Sequence, residues 1–201
     1  MANFFDTVIG RWPAGREDYH WHILPDPEWV RTALFEPYRE LTHRDGLAPV
    51  APQWTHVTVL HSGPVDAFRA EEVEQVVDLV RAGCTAIAPF ELTLDRPAPG
   101  RVALECAGRP GAPARQLWQL TGEATRAVTR DRFPLIPELY YPHASLAYGV
   151  ATFDHRPLKV SLSDHDHGPV SFLVSKVSLV AQSHDGRFIT WRHVRDVSLT
   201  G

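Results

Sequence analysis

The chain has 201 residues, 44% hydrophobic and 22% charged, with a net charge of −4. That is enough apolar residue for a real core in one domain, or in one domain of two small lobes. The acidic balance excludes the broad basic footprint of a protein that binds long nucleic acid, although a local pocket for a small nucleotide or an RNA end needs no basic surface.

Residues 1–18 read as an N-terminal extension of a single body spanning 1–201. They carry an early acid, Asp6, and no long apolar stretch, so no signal peptide is expected. No apolar run reaches transmembrane length. The cytoplasm is the expected compartment, with no membrane partner and no obligate protein partner. Cys84 and Cys106 form neither a C-x-x-C pair nor a zinc spacing and read as reduced thiols in or near the core.

Tyr19–Leu24 has strand character and places His20 and His22 on one face, expected to be half exposed. Asp26-Pro27 supplies a helix N-cap and a proline at the first helical position, opening a short helix that stops near Pro37. Residues 43–53, with Gly46, Pro49 and Pro52, read as a loop. Trp54–His61 is the next strand. Asp66 then caps a helix whose buried face is Val73, Val76, Val77 and Val80, with Gly83 at its C-terminal end. Ala86–Asp95 and Arg101–Ala107 form a hairpin around Pro97-Ala-Pro-Gly100.

A second helix is expected over 112–129, with Leu117, Leu120, Thr121, Ala124 and Val128 inward. Arg126, Arg130 and Arg132 read as its solvated end. Phe133–Pro142, with three prolines, is a loop into a strand over Tyr140–Tyr148. Asp164-His-Asp-His167 invites a metal reading but precedes Gly168-Pro169, so a solvated turn is expected. Phe172–Val180 and Phe188–Val197 are strands joined through Asp185-Gly186, a strong hairpin turn. This order of strands and helices gives two similar lobes of an α+β fold.

Two segments carry chemistry: His56-Val-Thr-Val59 and His143-Ala-Ser-Leu146, 87 positions apart. In a strand, side chains two apart share a face, so each segment offers an imidazole and a hydroxyl on one wall of a cleft. Two such walls facing each other supply two acid/base groups and two hydrogen-bond donors around one substrate atom. The pattern is cheap by itself in a chain with 11 His; its weight comes from two turn-bounded, β-prone settings.

At these residues the sequence resembles the 2H phosphoesterases, which include the bacterial 2′-5′ RNA ligase and 2′,3′-cyclic phosphodiesterase group. His56-Val-Thr-Val-Leu-His-Ser-Gly63 is similar to that family's first His-x-Thr strand and glycine turn. Pro142-His-Ala-Ser-Leu-Ala-Tyr148 is similar to its second. Where many relatives carry an Arg five places after the second His, this chain has Tyr148. The resemblance spans roughly residues 20–197. It implies a two-lobed, pseudo-symmetric α+β fold, with antiparallel-rich sheets around a central cleft and helices outside.

It also implies a metal- and cofactor-independent hydrolase or ligase acting on 2′,3′-cyclic or 2′-5′ linkages of RNA ends or small nucleotides. His56 and His143 are then general acid and base, in an order the sequence leaves open. Thr58 and Ser145 donate to phosphate oxygens, and Trp54 and Tyr148 are candidate substrate contacts. The rival reading is a nucleotide- or RNA-binding module on the same scaffold without turnover.

Overall fold

The two motif strands lie side by side at the middle of one sheet. β3 (Val57–Pro64) buries Val57 and Val59 on the core side, and β7 (His143–Gly149) buries Ala144 and Leu146. In the computed structural model, which describes all 201 residues, they pair antiparallel through Val57 and Ala144, the second residue of each motif. On one side of this junction run β1 (Asp18–Ile23), β9 (Lys176–His184) and β10 (Ile189–Ser198), next to β3. On the other run β6 (Ala103–Arg109), β4 (Phe90–Leu94) and β8 (Val170–Val174), next to β7. Short strands β2 (Leu47–Pro49) and β5 (Ala98–Pro99) attach to β7 and β6. The result is a curled, fully antiparallel half-barrel with helices, an α+β fold.

Helices α4 (Ala70–Cys84) and α5 (Gly111–Thr129) pack on each other and over the β3 and β10 side. The four expected valines of α4 are buried. On α5, Leu117, Thr121 and Ala124 are buried, while Leu120 and Val128 pack at the core margin. Thr121, Thr125 and Thr129 also face inward. Each hydroxyl donates to the carbonyl four residues back, at 2.7–2.8 Å, so none of the three hydroxyls is left unpaired by burial. Gly83 of α4 lies under Leu120 of α5; a Cβ there would stand 2.3 Å from Leu120 Cδ1.

Local signals hold at the first helix. Asp26 Oδ1 accepts from the Glu28 and Trp29 amides, at 3.0 and 2.9 Å, and opens α2 (Pro27–Val30), which widens into a π-type turn over Arg31–Phe35 and is followed by the short α3 (Arg39–Thr42). Four expectations need correction. Asp66 sits in a separate turn; α4 is capped at Arg69, whose amide donates to Glu72. The 43–53 loop contains β2, held by pairing to β7. The hairpin arms shift, because β6 pairs mainly with β7 and meets β4 only at its end. Phe172–Val180 is two strands: β8 joins β4, and after Ser175 the chain crosses to pair β9 with β1.

The N-terminal extension is folded. α1 (Phe4–Val8) and Trp12 bury Phe5, Val8 and Trp12 in a small second core with Val50, Ala103, Tyr148 and Ile189. Phe5 and Val8 each contribute about 1.5–3 kcal/mol on burial. Cys84 and Cys106 are buried free thiols. No helix is long and apolar enough to cross a membrane.

Candidate active site

A cavity of about 240 Å³ opens over the junction of β3 and β7. His56, Thr58, His143 and Ser145 all line it. The antiparallel register around the Val57–Ala144 pair sets His56 beside Ser145 and Thr58 beside His143. The two motifs are therefore adjacent rungs on the face of one sheet, not opposed walls. That departs from the expected geometry because the strands pair directly with each other.

Both imidazoles are held in the same way. His56 Nδ1 donates to the Trp54 carbonyl at 2.9 Å, and His143 Nδ1 donates to the Tyr141 carbonyl at 3.2 Å. Each bond reaches two residues back and places the proton on Nδ1, leaving Nε2 unencumbered. His56 is buried against His22 (ring centroids 4.3 Å apart) and Trp191 (5.0 Å). Burial pushes its pKa down to about 4; the bond to Trp54 opposes this and the charge of His143 adds to it. His143 is only half-buried.

The remaining candidates separate. Tyr148 lines the cavity, but its ring is buried under Phe4 and Phe5 (4.7 and 5.8 Å), and its hydroxyl lies beside Ser145. Burial pushes that phenol well above its ordinary value. The Trp54 ring lies outside this cavity. It packs on Trp191 at 5.0 Å and lines a neighbouring space of about 270 Å³ that shares Tyr148 and Ile189 with the first. His20 and His22, expected to be half exposed, are buried, because β9 and the Trp12 segment cover their strand. Burial, reinforced by neighbouring imidazoles, holds both well below the ordinary His value.

Sequence reasoning missed His61, which also lines the cavity. It lies five residues after His56, and a regular period of two would turn it to the opposite face. The N-terminal wall of Phe4, Val8, Arg11 and Trp12 was missed too; no local pattern marks it.

The Asp164–His167 segment uses its rings structurally. His165 Nε2 donates to the Pro37 carbonyl at 2.8 Å and His167 Nε2 to that of Ala33 at 2.9 Å. No three His, Cys, Asp or Glu side chains converge to hold a metal ion. A larger, shallow groove of about 1010 Å³ between α4 and α5 holds none of the motif residues. Arg69 and Arg132 there both pair with Glu72, at 2.9 and 2.7 Å.

A curled antiparallel half-barrel with paired His-x-Thr/Ser rungs at its centre defines a protein of 2H phosphoesterase type. The chain belongs to the 2′-5′ RNA ligase superfamily, whose family model matches residues 24–186. It is similar to the crystal structure of TT0787 of Thermus thermophilus, with TM-score 0.68 and 18% identity over 92% of this chain and 98% of that one. It is similar to E. coli LigT complexed with 3′-AMP, with TM-score 0.64 and 19% identity over 92% and 99%. A crystal structure described as a phosphoesterase matches with TM-score 0.69 and 20% identity over 92% and 99%. No curated protein sequence matches the chain. The family places the protein among enzymes of phosphoesterase or ligase type.

Proposed function

We propose that the protein is a metal-independent phosphoesterase acting on 2′,3′-cyclic phosphates or 2′-5′ phosphodiester linkages of small nucleotides or RNA ends. The observation that carries this reading is the matched pair of imidazoles. Each is fixed through Nδ1 to a carbonyl two residues upstream, and both line one cavity with two hydroxyls. In-line displacement at phosphorus needs a base on the attacking side and an acid on the leaving side, and two separate His groups meet that need.

His56, with its pKa near 4, is neutral at pH 7 and takes the proton of the attacking water or hydroxyl at Nε2. His143, half open to solvent, protonates the departing ribose oxygen. When that proton sits on Nε2, the Tyr141 carbonyl still accepts from Nδ1 and supports the imidazolium. Thr58 and Ser145 donate to the non-bridging oxygens, where negative charge grows. Tyr148, in the place of the usual Arg, brings no positive charge, and the cationic side chain lining the cavity is instead Arg11 of the N-terminal wall.

The cavity of about 240 Å³ is smaller than the roughly 300–1,000 Å³ of drug-sized sites, which favours one nucleotide at a time. LigT, similar in fold, has been crystallised with 3′-AMP and with phosphate, ligands of the size and charge this reading requires. The test is turnover of a panel of 2′,3′-cyclic nucleotides and 2′-5′ oligonucleotides in excess chelator, with the His56→Ala/His143→Ala double variant as blank. Cyclic nucleotide bound without product over long incubation would instead make the chain a binding module.

A further inference from the structure

His61 belongs to neither motif, yet the sheet delivers it to the same cavity. β3 carries two residues without a counterpart opposite β1, Ser62 and Val59, and Val59 lies between Thr58, which pairs with His22, and His61, which pairs with His20. The bulge at Val59 changes the parity of the strand, so Thr58 and His61, three apart, stand on one face. Their separation is then one two-residue step of strand, about 7 Å.

The ring is fixed. Nε2 donates to Asp18 Oδ2 at 2.6 Å, and the Asp18 side chain, with no solvent exposure, also accepts from Arg16 at 2.7 Å. His20 stacks on the ring at 4.3 Å, with 10° between the planes. The Asp18 bond places the proton on Nε2. Nδ1 has no protein partner and is not sealed off from the cavity that His61 lines.

Resting on the reading of this site as a nucleotide phosphoesterase, we infer that His61 is a specificity residue whose Nδ1 accepts a hydrogen bond from a hydroxyl or N–H of the nucleoside, with Asp18 positioning it. A phosphate held by Thr58 and Ser145 does not extend 7 Å along the strand, but the sugar and base attached to it do. With Nε2–H given to the carboxylate, Nδ1 is the ring atom left facing the cavity, and a lone pair there suits a donor on the ligand and not a second anion. The site therefore reads the nucleoside as well as the phosphate.

Two variants separate the ligand contact from the structural one. His61→Asn places an amide near Nδ1 and abandons Asp18; His61→Gln reaches toward Asp18 and abandons the cavity. Binding of orthophosphate and of 3′-AMP is measured by calorimetry on wild type and both variants, with the melting temperature of each. Phosphate affinity should stay unchanged throughout. His61→Gln should weaken 3′-AMP about tenfold, the effect of one lost hydrogen bond, with little change in melting temperature. His61→Asn should keep 3′-AMP within about threefold of wild type and melt lower. Unchanged 3′-AMP affinity in His61→Gln, or equal loss of phosphate and nucleotide, overturns the inference. Turnover of 2′,3′-cyclic nucleotides by wild type is scored separately. Turnover with unchanged binding in His61→Gln sinks this contact and keeps the phosphoesterase reading. His61-dependent 3′-AMP binding without turnover does the reverse, and a wild type that binds neither ligand sinks both.

Discussion

Acidifying the protein from pH 7 to pH 5 should destabilise it through imidazoles that are buried neutral. In the unfolded chain His56 titrates near its ordinary 6.5. Folded, it is pushed down to about 4 by burial and the charge of His143, against the opposing bond to Trp54. Between those values the unfolded chain holds a proton that the folded chain refuses. Stability from this group is therefore full above about 6.5, is lost as pH falls through the window, and stops changing below about 4. At pH 5 His56 alone accounts for about 2 kcal/mol and about 0.9 of a proton taken up on unfolding. In a chain of this length that is about 4–8 °C of melting temperature. His20 and His22, also held low by burial first and neighbouring imidazoles second, push in the same direction. The assay is urea or thermal unfolding at half-unit steps from pH 7.5 to 4.5, on wild type and His56→Asn. The variant should lose about 2 kcal/mol less than wild type between pH 7 and 5. Parallel curves would refute the assignment of a neutral, buried His56.

His56→Ala and His143→Ala should each lower kcat by about 10²–10⁴-fold, the usual range for one general acid or base, while Thr58→Ala and Ser145→Ala should cost less; full activity in either His variant contradicts the proposed chemistry. The acid limb of kcat/KM, followed in short assays before unfolding sets in, should fall near pH 4 and not at the ordinary His value; a limb at 6.5 would assign the base to another group. Cys84 and Cys106, buried and raised to about 11 and about 12 by burial first, should resist a thiol reagent at pH 8 until denaturant is added; rapid labelling of the native protein would contradict their placement. Gly149→Ala would set a Cβ 2.4 Å from the Ala2 carbonyl and 3.1 Å from that of Val102, both backbone. It should cost about 1–3 kcal/mol by overpacking and raise KM by displacing the segment that leads into α1; unchanged stability would show that the segment gives way freely.

What the sequence made legible was local. Strand period placed His56 with Thr58 and His143 with Ser145, and the structure puts all four on one cavity. Asp26-Pro27 opened a helix, four valines spaced for one face were buried, and Gly186, at φ 90°, turned the β9–β10 hairpin. What stayed hidden depended on partners distant in the chain. The bulge that recruits His61 exists only as a mismatch between β1 and β3. His20 and His22 look half exposed until β9, some 160 residues later, covers them. The Phe172–Val180 run is uniform in character, yet its halves satisfy hydrogen bonds on opposite sides of the molecule. Direct pairing of the motif strands could not be read from either alone, because a strand's sequence fixes its faces and not its neighbour.

The single ladder pair between β3 and β7 also bears on how the two sheet halves are joined. Their ladder holds Val57 and Ala144, with one further bridge between His61 and Ile136, whereas β1 with β3 and β6 with β7 each share five or six pairs. The N-terminal core adds a second tie, because it packs Tyr148 and Ala103 of one half with Ile189 of the other. His56 and His143 flank the ladder rung, so their relative placement is set by one backbone pair, while the segment carrying α1 closes the wall of the cleft beside them.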